Sequence, residues 1–193
     1  MNDPSPTLLF SAADVGALLR AAVFAAQRHQ TQRRKDAAAT PYINHPLRVA
    51  ELLYDVGQVR DTALLVAGLL HDTIEDTATR PEEIATRFGE QVLRIVLEVT
   101  DDKALPKMRR KALQIEHAAH LSAAARTLKL ADKSCNVSDL IDNPPDDWPA
   151  ERISAYLDWA ARVASGLRGV NAPLEAHLDG LIARARDRVA GPA

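Results

Sequence analysis

One histidine and three carboxylates end an apolar stretch of the chain, which reads GLLHDTIEDT over residues 68–77. Buried carboxylates without a partner are costly, so such a cluster needs a cation, a paired side chain or water. If the stretch is helical, His71 and Glu75 lie one turn apart, as do Asp72 and Asp76. Two interpretations stay open from this segment alone. It is either a metal site at the mouth of a buried helix or a helix end with a solvated acidic run.

Two further segments supply residues of the same kinds and favour the metal interpretation. TPYINHPLRVAELL places His45 at the start of an amphipathic helix, beside a proline typical of a first turn. TLKLADKSCNVSDL places Asp132 where it interrupts an apolar face, with Asn136 four residues later. Two imidazoles and two carboxylates suit a divalent first-row metal such as Mn²⁺, with coordination positions left open. A closed zinc site would more often use cysteines, and the chain has one, Cys135.

The elements that must position these residues are predicted to be helices. Apolar residues recur at helical spacing over residues 15–26, and Ser11 with Asp14 has the pattern of a capping box. Asn44 is a predicted cap of the next helix. The segment DTALLVAGLLHD is apolar on every face, so it is predicted to be the central buried helix. The predicted fold class is all-α, with about eight or nine helices in one domain over residues 1–193 and a flexible tail at residues 1–10.

Composition limits the classes of function open to the chain. The formal net charge is −2, which gives no electrostatic basis for binding nucleic acid. No segment approaches the roughly 20 apolar residues that span a bilayer, so no membrane partner is expected. The single cysteine fits a reducing compartment, and the predicted location is cytoplasmic. The oligomeric state is left open between monomer and homodimer.

Four motifs, in order along the chain, resemble the hydrolase domain of the RelA/SpoT family. They are RRKDAAATPYINHPLRVA, HDTIEDT, FGEQVLRIVLEVTDDK and KLADKSCN. HDTIEDT resembles the extended signature of HD-domain phosphohydrolases. More narrowly, the chain is similar to the small stand-alone alarmone hydrolases related to the metazoan SpoT homologue. The resemblance covers nearly the whole chain and implies a compact HD-type helical fold, one divalent metal ion, and no synthetase domain.

The resemblance also implies roles for individual residues. Glu75 and Asp76 match the pair that acts on the attacking water and the leaving group, and the general acid is left open between Asp76 and a base paired with it. The implied metal ligands are His45, His71, Asp72 and Asp132. The residues implied to contact the nucleotide are Arg34, Lys35, Asn136, Lys107, Arg152 and Tyr156.

Three other features carry expectations of their own. DDKALPKMRRK is either a solvated charged face or a mobile basic flap over the phosphates. Ser134 and Cys135 stand where the family pattern has a bulky pair such as Leu-Tyr, which is expected to widen or reshape the nucleotide pocket. His29 has no matching partner in sequence and is expected at a surface or capping position, like His117 and His120.

The implied reaction is metal-dependent hydrolysis of guanosine 3′,5′-bis(diphosphate), (p)ppGpp, at the 3′ position. The products are GDP or GTP and pyrophosphate, and the reaction ends stringent-response signalling. The expected partner is therefore a small-molecule nucleotide. Two alternatives stay open: a phosphatase for another nucleotide such as NADPH on the same scaffold, and a non-catalytic nucleotide-binding protein. The complete set of metal and catalytic positions argues against the non-catalytic alternative.

Overall fold

The computed structural model describes residues 10–145 and 147–191, and over these residues the fold is all-α, as predicted. None of the described helices is both long enough and apolar enough to cross a bilayer. The predicted tail lies outside the described residues except for Phe10, whose ring centroid is 5.9 Å from that of Tyr54. The described helices are α1 (Ala12–Arg28), α2 (Asn44–Asp55), α3 (Thr62–Leu70), α4 (Thr73–Asp76), α5 (Pro81–Phe88), α6 (Glu90–Val99), α7 (Lys107–His117), α8 (Ala123–Asp142), α9 (Ala150–Ser165) and α10 (Ala172–Ala190), with a 3₁₀ turn at Ala118–His120.

The central buried helix is α3, which confirms the prediction from its apolar sequence. Every residue from Leu64 to Leu70 is buried. The helix packs against α1, α2, α6 and α8, and α2 also packs against α8. A helix that is apolar on all sides is stable only when neighbours cover all of them. This arrangement brings the start of α2, the end of α3 and the middle of α8 to one side of the domain.

Gly68 lets α2 and α3 approach closely one turn before α3 ends. A Cβ at this position would lie 2.9 Å from Leu53 Cδ1 and 3.6 Å from Ala50 Cα. Because protein interiors are close-packed, a larger residue here would require the end of the Leu53 side chain to move.

Helix α3 ends at Leu70, two residues before the end of the segment DTALLVAGLLHD that was predicted to form it. The Thr73 hydroxyl donates to the Leu70 carbonyl at 2.6 Å, and His71 Nδ1 lies 2.9 Å from the Gly68 carbonyl. These two side chains satisfy carbonyls at the end of α3, where a helix otherwise leaves them without partners. The single turn α4 follows, so His71 and Glu75 do not lie on one continuous helix as the sequence had suggested.

The loop between α1 and α2 is held by short local pairing. Arg33 and Pro41 form an isolated antiparallel β-bridge. The Asp36 carboxylate accepts hydrogen bonds from the backbone N–H and the hydroxyl of Thr40, at 2.9 and 2.6 Å. The loop therefore has a defined shape, although it belongs to no helix.

Predictions of helix starts had mixed outcomes. The capping box of α1 is confirmed, because Ser11 Oγ accepts from the Asp14 N–H at 3.2 Å and the Asp14 carboxylate accepts from the Ser11 N–H at 2.9 Å. The prediction that Asn44 caps α2 is wrong. Asn44 lies within α2, which begins without a side-chain cap, and its N–H donates to the Pro41 carbonyl at 3.1 Å.

Candidate active site

The four residues predicted as metal ligands come together from three parts of the chain. His45 lies in the first turn of α2, His71 and Asp72 follow α3, and Asp132 lies within α8. Ligand atoms of His45, His71 and Asp72 lie within 4.8 Å of one another. Asp132 Oδ1 lies 3.2 Å from His45 Nε2 and 3.8 Å from His71 Nε2. We call these four residues the HD cluster.

The donor set of the HD cluster fits a divalent cation. Because a carbonyl oxygen only accepts hydrogen bonds, the contact of His71 Nδ1 with Gly68 places the ring proton on Nδ1. The opposite nitrogen, Nε2, is then free to ligate. It is buried and has no hydrogen-bond partner among the described residues, and Asp72 Oδ2 lies 3.2 Å away. A buried imidazole nitrogen without a partner, facing carboxylate oxygens, is the arrangement expected of metal ligands.

The charges of the HD cluster also favour a cation. Burial by itself lowers the pKa of His71, but the carboxylates of Asp72 and Asp132 outweigh burial and raise the pKa to about 9. Burial by itself raises the pKa of Asp72, but the two histidines outweigh it and hold that pKa below its ordinary value. Two charged carboxylates that are only partly exposed therefore create a negative potential at the histidine nitrogens, and a divalent ion would neutralise it.

Two neighbours orient Asp132 within α8. Lys133 Nζ donates to Asp132 Oδ2 at 2.9 Å, and Asn136 Nδ2 donates to Oδ1 at 2.6 Å. Asn136, predicted from sequence as a nucleotide contact, also accepts a hydrogen bond from Arg34 at 3.2 Å. Asn136 therefore links the HD cluster to the side chains that line the neighbouring cavity.

Glu75 and Asp76, the predicted catalytic pair, lie beside the HD cluster on α4 and line the same cavity. The Asp101 N–H donates to Glu75 Oε2 at 2.9 Å, and Arg110 Nη1 lies 3.7 Å from Oε1. Lys103 pairs with Asp76. Burial raises the pKa of Glu75 above its ordinary value, with the Asp101 N–H opposing the rise and the Asp101 charge adding to it. A carboxylate in this environment is suited to accept a proton near neutral pH.

A second cavity adjoins the HD cluster and gathers most of the predicted nucleotide contacts. Arg34, Lys35, Asn136 and Tyr156 line it, together with Trp148. The ring centroids of Trp148 and Tyr156 lie 5.8 Å apart. Basic and aromatic side chains around one concavity suit a phosphorylated ligand with a planar base. We call this space the nucleotide cavity.

Lys107 and Arg152, the other two predicted contacts, line neither cavity and lie nearby. The Arg152 guanidinium lies 4.3 Å from the centroid of the Trp148 ring. Burial lowers the pKa of Lys111, and the charges of Lys107, Lys133 and Arg152 lower it further. Like charges gathered in this way favour an anionic ligand. Arg152 also lies 3.5 Å from the Asp147 carboxylate, and we call Lys107 and Arg152 the cationic rim.

The basic segment after α6 is only partly a solvated face. Arg109 pairs with Glu116 in the open, at 3.0 Å, and Met108 is 76% exposed. Lys103, by contrast, pairs with Asp76, and Arg110 lies 3.7 Å from Glu75. The interpretation as a solvated face therefore holds for Met108 and Arg109, and the basic flap over the phosphates stays a prediction for Lys103 and Arg110.

One expectation is corrected. Ser134 and Cys135 do not line the nucleotide cavity, because they lie on another face of α8, beside a separate cavity with Arg48 of α2 and His177 of α10. Burial also raises the pKa of the Cys135 thiol to about 12, so the thiol is inert at neutral pH. His29 takes the capping position that was one of its two expected places, since it ends α1 with its N–H donating to the Ala25 carbonyl, and it is buried, with its ring stacked on Tyr42.

Two residues of the site were missed by sequence reasoning. The Tyr42 hydroxyl donates to Asp72 Oδ2 at 2.6 Å, and Trp148 lines the nucleotide cavity. Tyr42 stands in the motif YINHP, three residues before His45, which is the one signal that could have pointed to it. Trp148 stands in a proline-rich loop, where the sequence gives no periodicity from which its direction could be inferred.

Comparison with known proteins shows similarity over most of the chain. A family model described as HD domain matches residues 21–167. Guanosine-3′,5′-bis(diphosphate) 3′-pyrophosphohydrolase MESH1 of Xenopus tropicalis is 55% identical over 166 residues, which is 86% of this chain and 93% of the relative. The Homo sapiens protein of the same name is 52% identical over 158 residues, which is 82% of this chain and 88% of the relative.

The fold of the chain is also similar to that of a solved structure. It is described as a metazoan ortholog of SpoT that hydrolyses ppGpp and plays a role in starvation responses. It superposes with a TM-score of 0.85 at 41% sequence identity, covering 95% of this chain and 98% of the other.

Proposed function

The chain belongs to the HD-domain family, and on that premise we propose that it hydrolyses (p)ppGpp at the ribose 3′ position to GDP or GTP and intact pyrophosphate. The observation that carries the proposal is the convergence of the HD cluster, the Glu75–Asp76 pair and the nucleotide cavity. Relatives that share about half of the sequence and are named 3′-pyrophosphohydrolases support it. The proposed partner is thus the nucleotide itself. A cytoplasmic location stays a prediction, and the choice between monomer and homodimer stays open.

We propose that the HD cluster holds one divalent ion through His45, His71, Asp72 and Asp132. The mixed nitrogen and oxygen donors favour Mn²⁺ among the common divalent ions. When bound, such an ion polarises the phosphorus under attack and lowers the pKa of a nearby water. The remaining steps of the reaction fall to the side chains around the cluster.

Glu75 is proposed to orient and deprotonate the attacking water. The hydrogen bond from the Asp101 N–H fixes one carboxylate oxygen, Oε2. The other oxygen, Oε1, lies within 4 Å of Arg110 and of Lys103. These contacts hold the carboxylate in place but do not protonate it. Glu75 therefore keeps the capacity to accept a proton from the water.

Asp76 is proposed to take part in protonating the departing ribose 3′ oxygen. Its carboxylate pairs with Lys103, and that side chain is half exposed, so it can move with the substrate. The proton for the leaving group comes either from Asp76 itself or from the Lys103 ammonium that Asp76 holds. Lys103 and Arg110 lie beside this pair, and their positive charges suit the charge of a loose phosphoryl-transfer transition state.

The nucleotide is proposed to lie in the nucleotide cavity with its 3′-diphosphate toward the HD cluster. Arg34 and Lys35 supply positive charge there, and Tyr156 and Trp148 supply aromatic surface. The cationic rim of Lys107 and Arg152 is then available to the diphosphate at the other end of the nucleotide.

A nucleotide panel tests the proposed substrate class. Purified protein, freed of metal with a chelator and reloaded with Mn²⁺, is given ppGpp, pppGpp and NADPH in parallel, and initial rates are compared. We expect the two guanosine nucleotides to be turned over and the chelated protein to be inactive. Turnover of NADPH alone would favour the phosphatase alternative. Binding of ppGpp without turnover would favour a non-catalytic binding protein.

A further inference from the structure

Tyr42 lies between the HD cluster and the nucleotide cavity and lines both. Its hydroxyl donates to Asp72 Oδ2 at 2.6 Å and lies 3.2 Å from Asp76 Oδ2. One atom therefore touches a carboxylate assigned to metal binding and a carboxylate assigned to the chemistry. Neither the sequence motifs nor the comparisons assign Tyr42 a role.

The oxygen of Asp72 that Tyr42 contacts is the one that faces the histidines. Asp72 Oδ2 lies 3.2 Å from His71 Nε2 and 3.7 Å from His45 Nε2. A phenol carries one proton, so it donates to one carboxylate at a time, and the shorter contact is the one to Asp72. Hydrogen bonds of this kind fix the orientation of a metal-binding carboxylate.

The ring of Tyr42 is held independently of its hydroxyl. It stacks on the His29 ring at 4.9 Å between centroids, with an interplanar angle of 29°. It also meets the His45 ring edge-on at 5.9 Å, and the Arg34 guanidinium lies 5.6 Å from its centroid. Removing the hydroxyl alone should therefore leave the ring and the wall of the nucleotide cavity in place.

The residue that stacks on Tyr42, His29, is also connected to the backbone of Asp76. Gln32 Nε2 donates to the Asp76 carbonyl at 2.6 Å, and Gln32 Oε1 pairs with His29 Nδ1. His29, which stacks on Tyr42, thus also anchors the group that holds Asp76. The Tyr42 ring is therefore linked to the Asp76 backbone through His29 and Gln32, and the Tyr42 hydroxyl contacts the Asp76 side chain directly.

We propose that Tyr42 is a positioning residue whose hydroxyl orients Asp72 toward the metal and fixes the separation of Asp72 from Asp76. The role of Asp76 in this inference rests on the proposed function. The role of Asp72 does not depend on which substrate the protein cleaves. The two parts can therefore be tested separately.

The test is Tyr42→Phe, which removes one oxygen and keeps the ring. Titration of metal-free protein with Mn²⁺ by calorimetry, without nucleotide, should show an affinity about 10- to 100-fold weaker than wild type, the usual cost of removing a partner of a metal ligand. At saturating Mn²⁺, kcat for ppGpp should fall while KM stays unchanged, because the ring still lines the nucleotide cavity. Tyr54→Phe is the matched control, since the Tyr54 ring packs against Phe10 and Arg60, and it should change neither quantity.

A purely structural role gives a different result. It would lower the melting temperature of the metal-free variant and raise KM together with the loss of kcat, and that outcome overturns the inference. A double-mutant comparison with Asp76→Asn gives a second, independent check. If Tyr42 acts through Asp76, Tyr42→Phe should cost less kcat in the Asp76→Asn background than in wild type.

Failure of the inference and failure of the proposed function are distinguishable. Unchanged Mn²⁺ affinity and kcat in Tyr42→Phe overturn the role of Tyr42, while pyrophosphate release by wild type still upholds the function. If wild type releases no pyrophosphate from ppGpp but Tyr42→Phe weakens Mn²⁺ binding, the function is wrong and the role of Tyr42 toward Asp72 stands.

Discussion

Replacing His71 with alanine is expected to abolish binding of the divalent ion and turnover of ppGpp together. The change removes the buried Nε2, which has no hydrogen-bond partner in the described part of the chain, and it leaves a single imidazole in the HD cluster. Only three of the four proposed ligands then remain, His45, Asp72 and Asp132. We expect these three donors to bind the ion weakly. Elemental analysis of protein reloaded with Mn²⁺ and dialysed should find about one ion per chain in wild type and almost none in His71→Ala.

An exposed histidine provides the control for this measurement. His120 lies in the 3₁₀ turn after α7 and takes no part in the HD cluster. His120→Ala should keep both the metal and the activity of wild type. Full metal occupancy in His71→Ala, with the protein folded, would contradict the assignment of the HD cluster as the metal site.

Replacing Glu75 with glutamine is expected to lower kcat by about 10²–10⁴, the usual contribution of general acid–base catalysis. Glutamine keeps the size of the side chain and an oxygen that can accept the hydrogen bond from Asp101, but it cannot take a proton from water. Metal content and ppGpp affinity should persist, because Glu75 is assigned to the water and not to the ion. Steady-state kinetics, metal analysis and equilibrium binding of ppGpp check the three quantities separately.

Two companion variants sharpen this prediction. Asp132→Asn should lower metal affinity and activity together, since Asp132 is assigned as a ligand. Glu82→Gln, at an exposed position on α5, should resemble wild type in all three measurements. If Glu75→Gln loses its metal and excess Mn²⁺ restores turnover, Glu75 is a ligand and not the base.

Much of the HD cluster could be predicted because each member carries a local signal. His45 stands beside a proline in a first helical turn, and Asp132 interrupts an apolar helical face, so each is conspicuous in the sequence itself. That they meet in space was supplied by the resemblance to the family, because the packing of α2 against α3 and α8 is a long-range property. Gly68 illustrates this, since its close contact with Leu53 is invisible without the fold.

The errors share a physical origin. The break after Leu70 depends on the Thr73 hydroxyl pairing with a backbone carbonyl, a choice that helical periodicity does not report. Ser134 and Cys135 were placed at the nucleotide because the family pattern has a bulky pair at these positions, between Asp132 and Asn136. Successive residues on a helix point in directions about 100° apart, so sequence neighbours need not share a cavity.

Tyr42 and Trp148 could not be predicted for a related reason. An aromatic residue in a loop has no periodic pattern, and its direction is set by what packs around it. For Tyr42 that surrounding is the buried His29, which the sequence analysis expected at a surface or capping position. The stacking of His29 on Tyr42 is a property of the fold and has no signal in the sequence.

The most direct test of the proposed function is the identity of the products released from ppGpp in the presence of Mn²⁺. Reaction in ¹⁸O-labelled water, followed by anion-exchange chromatography and mass spectrometry, reports both the products and the bond that breaks. Attack of water on the phosphorus next to the ribose 3′ oxygen predicts GDP and intact pyrophosphate in equal amounts, with the label in pyrophosphate. Release of orthophosphate in place of pyrophosphate would contradict the account, because the bond cleaved would then lie within the diphosphate and not at the ribose.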